Sequence, residues 1–206
     1  MIKAIVFDVD GTLTKIKSIW RLIHEELGTW RHARINRELY YAGKIDYIQW
    51  AKLDSALWRG VKVKRIMDVV RNVELVEGVE YLMSELKKRG YYIGLISAGV
   101  NFLPDYIRNK LNLDYSLSNE LITRNGLLTG EVIVNVPYPD KFKGFKKFIK
   151  NTGFEESEVA TVGDDPTDLY DGSAIKILIT HSVKPKGSAD FYVKRSKILD
   201  ILRYIP

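Results

Sequence analysis

The sequence predicts an α/β fold, a doubly wound parallel sheet carrying an inserted helical module and a small β-hairpin. Three observations predict it. Short apolar runs rich in β-branched residues end abruptly in polar residues and glycine, the pattern of strands buried on both faces. Helical periodicity separates these runs, as repeated βα units require. One long helical stretch, from Ser18 to Arg71, interrupts the alternation right after the first strand.

The elements follow in order. Residues 3–7 form the first strand. In the helical stretch, Trp20, Ile23 and Leu27 share one helix face, closed by Gly28; Ile35, Leu39 and Ala42 share a second, closed by Gly43. Ile45-Asp46 starts a third helix with Ile48, Ala51, Ser55 and Trp58, ended by Gly60, and Ile66, Val69 and Val70 mark a fourth. Residues 79–89 are a helix stopped by Gly90; 92–96 a strand running into Ser97-Ala98-Gly99; 103–111 a helix; 114–117 a short strand. Leu121–Thr123 and Thr129–Val134 read as a hairpin turning at Asn125-Gly126. Phe145, Phe148 and Ile149 mark a helix ending near Gly153, followed by strands at 159–162 and 175–179 and an edge strand at 191–193.

At 206 residues the chain can bury one substantial core. With 46% hydrophobic and 28% charged residues it has the composition of a soluble globular protein, and no apolar run reaches membrane-spanning length. Cysteine is absent, which excludes disulfides and thiolate-bound metals. With no signal-peptide pattern, the expected location is the cytoplasm. The net charge of +6 admits nucleic-acid binding. The basic residues are scattered rather than gathered into a tract, however, which favours an ordinary charged surface with a mild attraction for anions.

The chemistry gathers at strand ends. The first strand runs into Asp8-Val9-Asp10-Gly11-Thr12, with the two carboxylates on one side of an extended chain. Burying such a pair is costly unless a positive partner joins it, and a hard divalent cation such as Mg²⁺ is the usual one. The second strand ends at Ser97, and the 159–162 strand at Gly163-Asp164-Asp165-Pro166-Thr167-Asp168. Lys141 opens the intervening helix. In a parallel sheet these ends meet at one edge. Carboxylates, a hydroxyl, backbone N–H groups and one ammonium are the parts that hold a phosphoryl group during in-line attack.

These four motifs, in this order, resemble those of the haloacid dehalogenase (HAD) superfamily. Leu113–Leu121 and Gly126–Gly130 are most similar to its phosphoserine phosphatase-like branch. The resemblance implies a Rossmann-like HAD core of residues 1–14 and 73–206 with a helical cap at 15–72. It implies Asp8 as a nucleophile that becomes an aspartyl phosphate, and Asp10 as acid and then base. Mg²⁺ would be held by the Asp8 carboxylate, Asp10 through its backbone carbonyl, and Asp164. Ser97 and the backbone of Ala98 would bind phosphate oxygens with Lys141; Thr12, beside the substrate, would orient Asp10. Asp168 would act from behind these groups; Asp165 joins it there, replaces Asp164 or Asp168 as a ligand, or simply starts a turn with Pro166.

Two lysines compete for the phosphate. Lys143 precedes a glycine, as in the phosphoserine phosphatase pattern, but Lys141 shares the inward face of Phe145 and Phe148, and Lys143 projects roughly 200° away. The resemblance weakens at substrate recognition. Where those phosphatases carry a glutamate for the substrate amine, this chain has Lys17, and the cap arginine has no secure match in Lys52–Ser55. Lys17 is either a solvated hinge residue or a contact for a second anionic group. Trp20, Trp30, Trp50 and Trp58 all fall in the helical module, as bulk for a small bundle or, for one or two of them, as walls of a substrate entrance that favours a larger or an aromatic leaving group. His24, His32 and His181 form no ligand pattern.

The expected function is Mg²⁺-dependent hydrolysis of a small phosphorylated metabolite. The alternatives are phosphoserine phosphatase proper, a phosphomutase on the same core, and a non-catalytic basic module that binds nucleic acid. The sequence is silent on oligomeric state.

Overall fold

A computed structural model of the protein describes residues 1–181 and 188–206. Seven strands form one sheet: β1 (Ala4–Phe7), β2 (Tyr92–Val100), β3 (Tyr115–Arg124), β4 (Leu127–Ile133), β5 (Val159–Gly163), β6 (Ile175–Thr180) and β7 (Phe191–Lys194). Their order is β4-β3-β2-β1-β5-β6-β7, with every pairing parallel except β3–β4. The expected doubly wound sheet is therefore present.

Alternation along β1 builds both faces. Ile5 and Phe7 enter the larger apolar cluster, while Ala4 and Val6 enter a smaller one with Phe145 and Phe148. That smaller layer is supplied by α7 (Phe142–Thr152), whose buried Gly144, Phe145 and Phe148 follow the expected phase. On the other face, α5 (Val79–Lys88) and α6 (Phe102–Leu111) pack with Leu82, Leu86, Leu103 and Ile107.

Between β1 and α5 lie α1 (Ile19–Glu26), α2 (Trp30–Tyr41), α3 (Tyr47–Ala56) and α4 (Val63–Arg71). Ser18 caps α1 through a hydrogen bond from the Arg21 N–H, and Asp46 with Gln49 makes a capping box on α3. Ile23, Ala51, Trp58, Ile66 and Val70 run into the same apolar cluster as the sheet. The hairpin joins this layer too: the Gly60 N–H donates to the Leu128 carbonyl at 2.8 Å, and the Val63 N–H to Gly126 at 2.9 Å.

Four expectations differ from the structure. In α2 the face of Ile35 and Ala42 is solvent-exposed, and the residue that packs is Ala33. Asn36, one turn on from Ala33, spends its side chain on a hydrogen bond to Asp54. Ile48 of α3 is likewise exposed. The short strand at 114–117 and the first hairpin arm are one strand, β3, held together across a register shift against β2. The C-terminal segment adds a 3₁₀ turn at Arg195–Asp200 and α8 (Ile201–Tyr204), whose Ile198, Ile201 and Ile205 seal the sheet. The hairpin turn is as expected, with Asn125 at φ 52° and Gly126 at φ 74°. No helix of the described residues is long and apolar enough to cross a membrane.

Candidate active site

The sheet register brings the polar strand ends together. Phe7 pairs with Leu95 of β2 and with Val162 of β5. Asp8 thus leaves the sheet beside Ser97 and Asp164, and its N–H still reaches the Val162 carbonyl at 2.9 Å. The Asp8 carboxylate is 5% exposed. Lys141, at the N-terminal edge of α7, reaches Asp8 Oδ1 at 3.1 Å and Asp168 Oδ1 at 2.5 Å. Lys143 lies on the outer side, paired with Asp140 and exposed. The helical phase thus puts Lys141, and not Lys143, beside Asp8.

Two glycines permit this crowding. A Cβ on Gly11, whose φ is +83°, would stand 2.4 Å from Asp164 Oδ2. One on Gly163 would stand 2.1 Å from Asp168 Cβ. Side chains at either position would push the carboxylates apart.

Burial sets the electrostatics. It pushes Asp8 up to about 6, and the neighbouring charges of Asp164 and Asp10 add to the rise while Lys141 opposes it. Asp10 is also raised to about 6 by burial, against the pull of the Ile19 N–H and of Lys141. Asp168 is raised by burial and by Asp8. Burial alone would lower the Lys141 ammonium, but Asp168 and Asp8 overcome it and hold the group protonated.

The carboxylates divide by direction. Oxygens of Asp8, Asp164 and Asp168 lie within 4.8 Å of one another, a set that could hold a metal ion. Both Asp168 oxygens are already engaged, by Lys141 and by the Asp165 N–H at 3.1 Å. The Asp10 carboxylate stays outside the cluster: Oδ2 accepts from the Ile19 N–H at 2.8 Å, and Oδ1 is buried without a partner among the described residues. As a metal ligand Asp10 therefore has its backbone to offer and not its side chain. The buried carboxylate of Asp8 and the part-exposed carboxylate of Asp164 offer oxygens that fit a hard divalent cation.

Several sequence expectations are refined. Thr12 does not orient Asp10; its hydroxyl lies 3.3 Å from Asp8 Oδ2 and 3.4 Å from Asp164 Oδ1, because the turn at Gly11 brings it back over the strand end. Asp165 is a turn residue whose Oδ1 accepts from the Thr167 N–H at 2.9 Å and hydroxyl at 2.8 Å. Ser97 Oγ accepts from the Gly99 N–H at 3.0 Å and borders the same chamber as Asp8, Asp10, Ala98, Lys141 and Asp164.

Three residues carry roles that the sequence did not reveal. The Ala98 carbonyl accepts from Trp20 Nε1 at 3.0 Å, the Tyr47 hydroxyl at 2.8 Å and Asn119 Nδ2 at 2.8 Å. Tyr47 and the fully buried Asn119 thus fix the Ser97 loop. His181 Nε2 stands 3.0 Å from Asp164 Oδ2. None of the three belongs to a spaced motif; the β2–β3 register brings in Asn119, the start of α3 brings in Tyr47 and the end of β6 brings in His181.

The haloacid dehalogenase-like hydrolase family model matches residues 2–170. The chain belongs to this family. A phosphoserine phosphatase of Methanocaldococcus jannaschii is 29% identical over 207 residues, spanning 98% of this chain and 97% of that protein. A substrate-bound phosphoserine phosphatase structure superposes with a TM-score of 0.81 at 26% identity, covering 100% of this chain and 99% of the other. A phospho-aspartyl intermediate analogue of a phosphoserine phosphatase gives 0.79 at 27% identity, with the same coverage. The protein is a HAD-type phosphatase, similar along its length to phosphoserine phosphatases.

Proposed function

We propose that the protein hydrolyses a small phosphorylated metabolite through a phosphoenzyme on Asp8. In the first step an Asp8 oxygen attacks phosphorus, the ester P–O bond breaks, and Asp10 gives its proton to the departing alkoxide. In the second step Asp10 takes a proton from water, whose oxygen attacks phosphorus and releases phosphate and the Asp8 carboxylate. The observation that carries this division of roles is the split in direction between the two aspartates. Asp8 stands in the carboxylate cluster beside Lys141, whereas Asp10 is turned out of it, raised to about 6, with one buried oxygen free to hold a proton.

Lys141 would hold the phosphoryl oxygens while it steadies Asp8, and Ser97 with nearby backbone N–H groups would complete the cradle. Mg²⁺ held by Asp8 and Asp164 would supply positive charge against the Asp8 carboxylate and the phosphoryl oxygens. Residues 15–72 would act as a cap over the chamber, excluding water and selecting the leaving group. The scattered basic surface supports no nucleic-acid role.

The test is hydrolysis of a generic aryl phosphate with Mg²⁺. Asp8→Asn should lower kcat by at least about 10³-fold, and EDTA should stop turnover until Mg²⁺ is restored. Undiminished activity in the variant would overturn the assignment of Asp8, and undiminished activity in EDTA that of the cation.

A further inference from the structure

The peptide group between Ala98 and Gly99 joins the helical layer to the reactive chamber. The register of β2 against β3 shifts between Ile96 and Val100, and Ala98 lies in that irregular stretch. Its carbonyl accepts from three side chains: Trp20 Nε1 at 3.0 Å, the Tyr47 hydroxyl at 2.8 Å and Asn119 Nδ2 at 2.8 Å. Trp20 stands on α1 and Tyr47 on α3, so two of the three donors come from the helical layer.

The roles of these donors are fixed by their other partners. Asn119 Oδ1 accepts from the N–H groups of Asn135 and Val136, both at 2.9 Å. Its Nδ2 is therefore the end that faces Ala98, and it also donates to the Tyr47 hydroxyl at 3.1 Å. Tyr47 accepts that bond and gives its single hydroxyl hydrogen to Ala98. It borders the reactive chamber, yet has no hydrogen left for a phosphate oxygen.

A peptide group is planar, with its C=O and N–H pointing in opposite directions. Side chains that hold the Ala98 oxygen from one side aim the Gly99 N–H to the other, where it donates to Ser97 Oγ at 3.0 Å. There is little room for another arrangement. A Cβ on Gly99 would stand 2.8 Å from Ile19 Cγ2 and 3.0 Å from Ser97 Oγ. Ser97 is 2% exposed and borders the chamber of Asp8 and Lys141. Because its Oγ accepts from Gly99, its own hydrogen is the group it can give, and no acceptor among the described residues takes it.

We infer that Tyr47 and Trp20 are positioning residues that act on Ser97 through the Ala98–Gly99 peptide. They turn the Ser97 hydroxyl into a donor aimed at a phosphoryl oxygen, so the helical layer takes part in binding phosphate as well as in bounding the leaving group. This rests on the phosphatase reading above in taking the Asp8 chamber as the phosphate site.

The test is a double-mutant cycle read in the affinity of the Mg²⁺-loaded protein for inorganic phosphate, measured by titration calorimetry. Tyr47→Phe keeps the ring and removes the hydroxyl, and should weaken phosphate binding about fivefold. In a Ser97→Ala background no hydroxyl is left to aim, and the same substitution should change the affinity by less than about twofold. A loss that persists in that background would overturn the inference, since Tyr47 would then touch phosphate directly or support the fold in general. A wild type that binds no phosphate, or a Tyr47→Phe variant that binds it as tightly as the wild type, would overturn it too. Trp20→Phe removes the other donor of the helical layer and should repeat the pattern; it decides the matter if Tyr47→Phe does not fold. Hydrolysis of an aryl phosphate is measured on the same wild-type protein. Its absence beside an intact coupling of Tyr47 to Ser97 would overturn the phosphatase reading and leave this inference standing.

Discussion

Replacing Asp10 with asparagine should make the cation-free protein more stable while it disables the reaction. Asn Oδ1 can still accept from the Ile19 N–H, which reaches Asp10 Oδ2 at 2.8 Å, so the perturbation is mainly the loss of a buried charge. Burial raises the Asp10 carboxyl from 3.8 to about 6. At about 1.36 kcal/mol per unit, carrying the charge costs the folded state about 3 kcal/mol. That figure is an upper one, since Asp10 keeps some exposure. The sign follows from linkage: below pH 4 the carboxyl is neutral in both states and the variant gains nothing. As pH rises from about 4 to 6, the unfolded chain releases its proton first and the wild type loses stability, a loss that the asparagine variant escapes. The advantage should therefore grow across that window and level off above it. Urea unfolding in EDTA at pH 4 to 8 measures this, and thermal unfolding at pH 8 should show a Tm difference of roughly 6–12 °C. Hydrolysis should meanwhile fall by about 10²–10⁴-fold. An advantage that does not change with pH, or a variant less stable than the wild type at pH 8, would refute the burial argument.

The other perturbations concern the groups around Asp8. Lys141→Met leaves Asp8 and Asp168 buried without their cation and should cost about 3–5 kcal/mol in denaturant unfolding at neutral pH. Lys143→Ala should stay within about 0.5 kcal/mol; equal effects would mean that the helical phase of α7 has been misjudged. Gly11→Ala forces a Cβ against Asp164 Oδ2 at 2.4 Å from a backbone at φ +83°. It should raise the Mg²⁺ concentration needed for half-maximal activity by at least about tenfold, and an unchanged midpoint would show that Asp164 can move aside freely.

The legible part of the fold and site was the part written in local pattern. Apolar runs gave the strands at Ala4–Phe7 and Val159–Gly163 almost to the residue, because strands buried on both faces admit little else. The choice of Lys141 over Lys143 followed from phase alone, since Phe145 and Phe148 fixed the inward side of α7. The illegible part depends on distant pairing. Asn119 looks like any polar strand residue until β3 lies beside β2, where its side chain reaches the Ala98 carbonyl. Ile35 looked like core because period does not show whether a partner surface exists. The resemblance pairs Thr12 with Asp10, whereas the turn at Gly11 carries its hydroxyl to Asp8 and Asp164.

The site is a local inversion of the fold's own rules. Elsewhere the sheet buries apolar groups; at the end of β1, Asp8 and Asp168 hold one buried ammonium, with the charges of Asp10 and Asp164 close by. Such an excess of negative charge destabilises the empty site and repels a phosphate dianion. A divalent cation between Asp8 and Asp164 would correct both faults at once, since it lowers the cost of ionising Asp8 and gives the phosphoryl oxygens a positive partner. The helices above the chamber then matter for more than shape. By lowering the local dielectric they strengthen each of these attractions, and Trp20, Tyr47 and Trp50 border the chamber in which those attractions act.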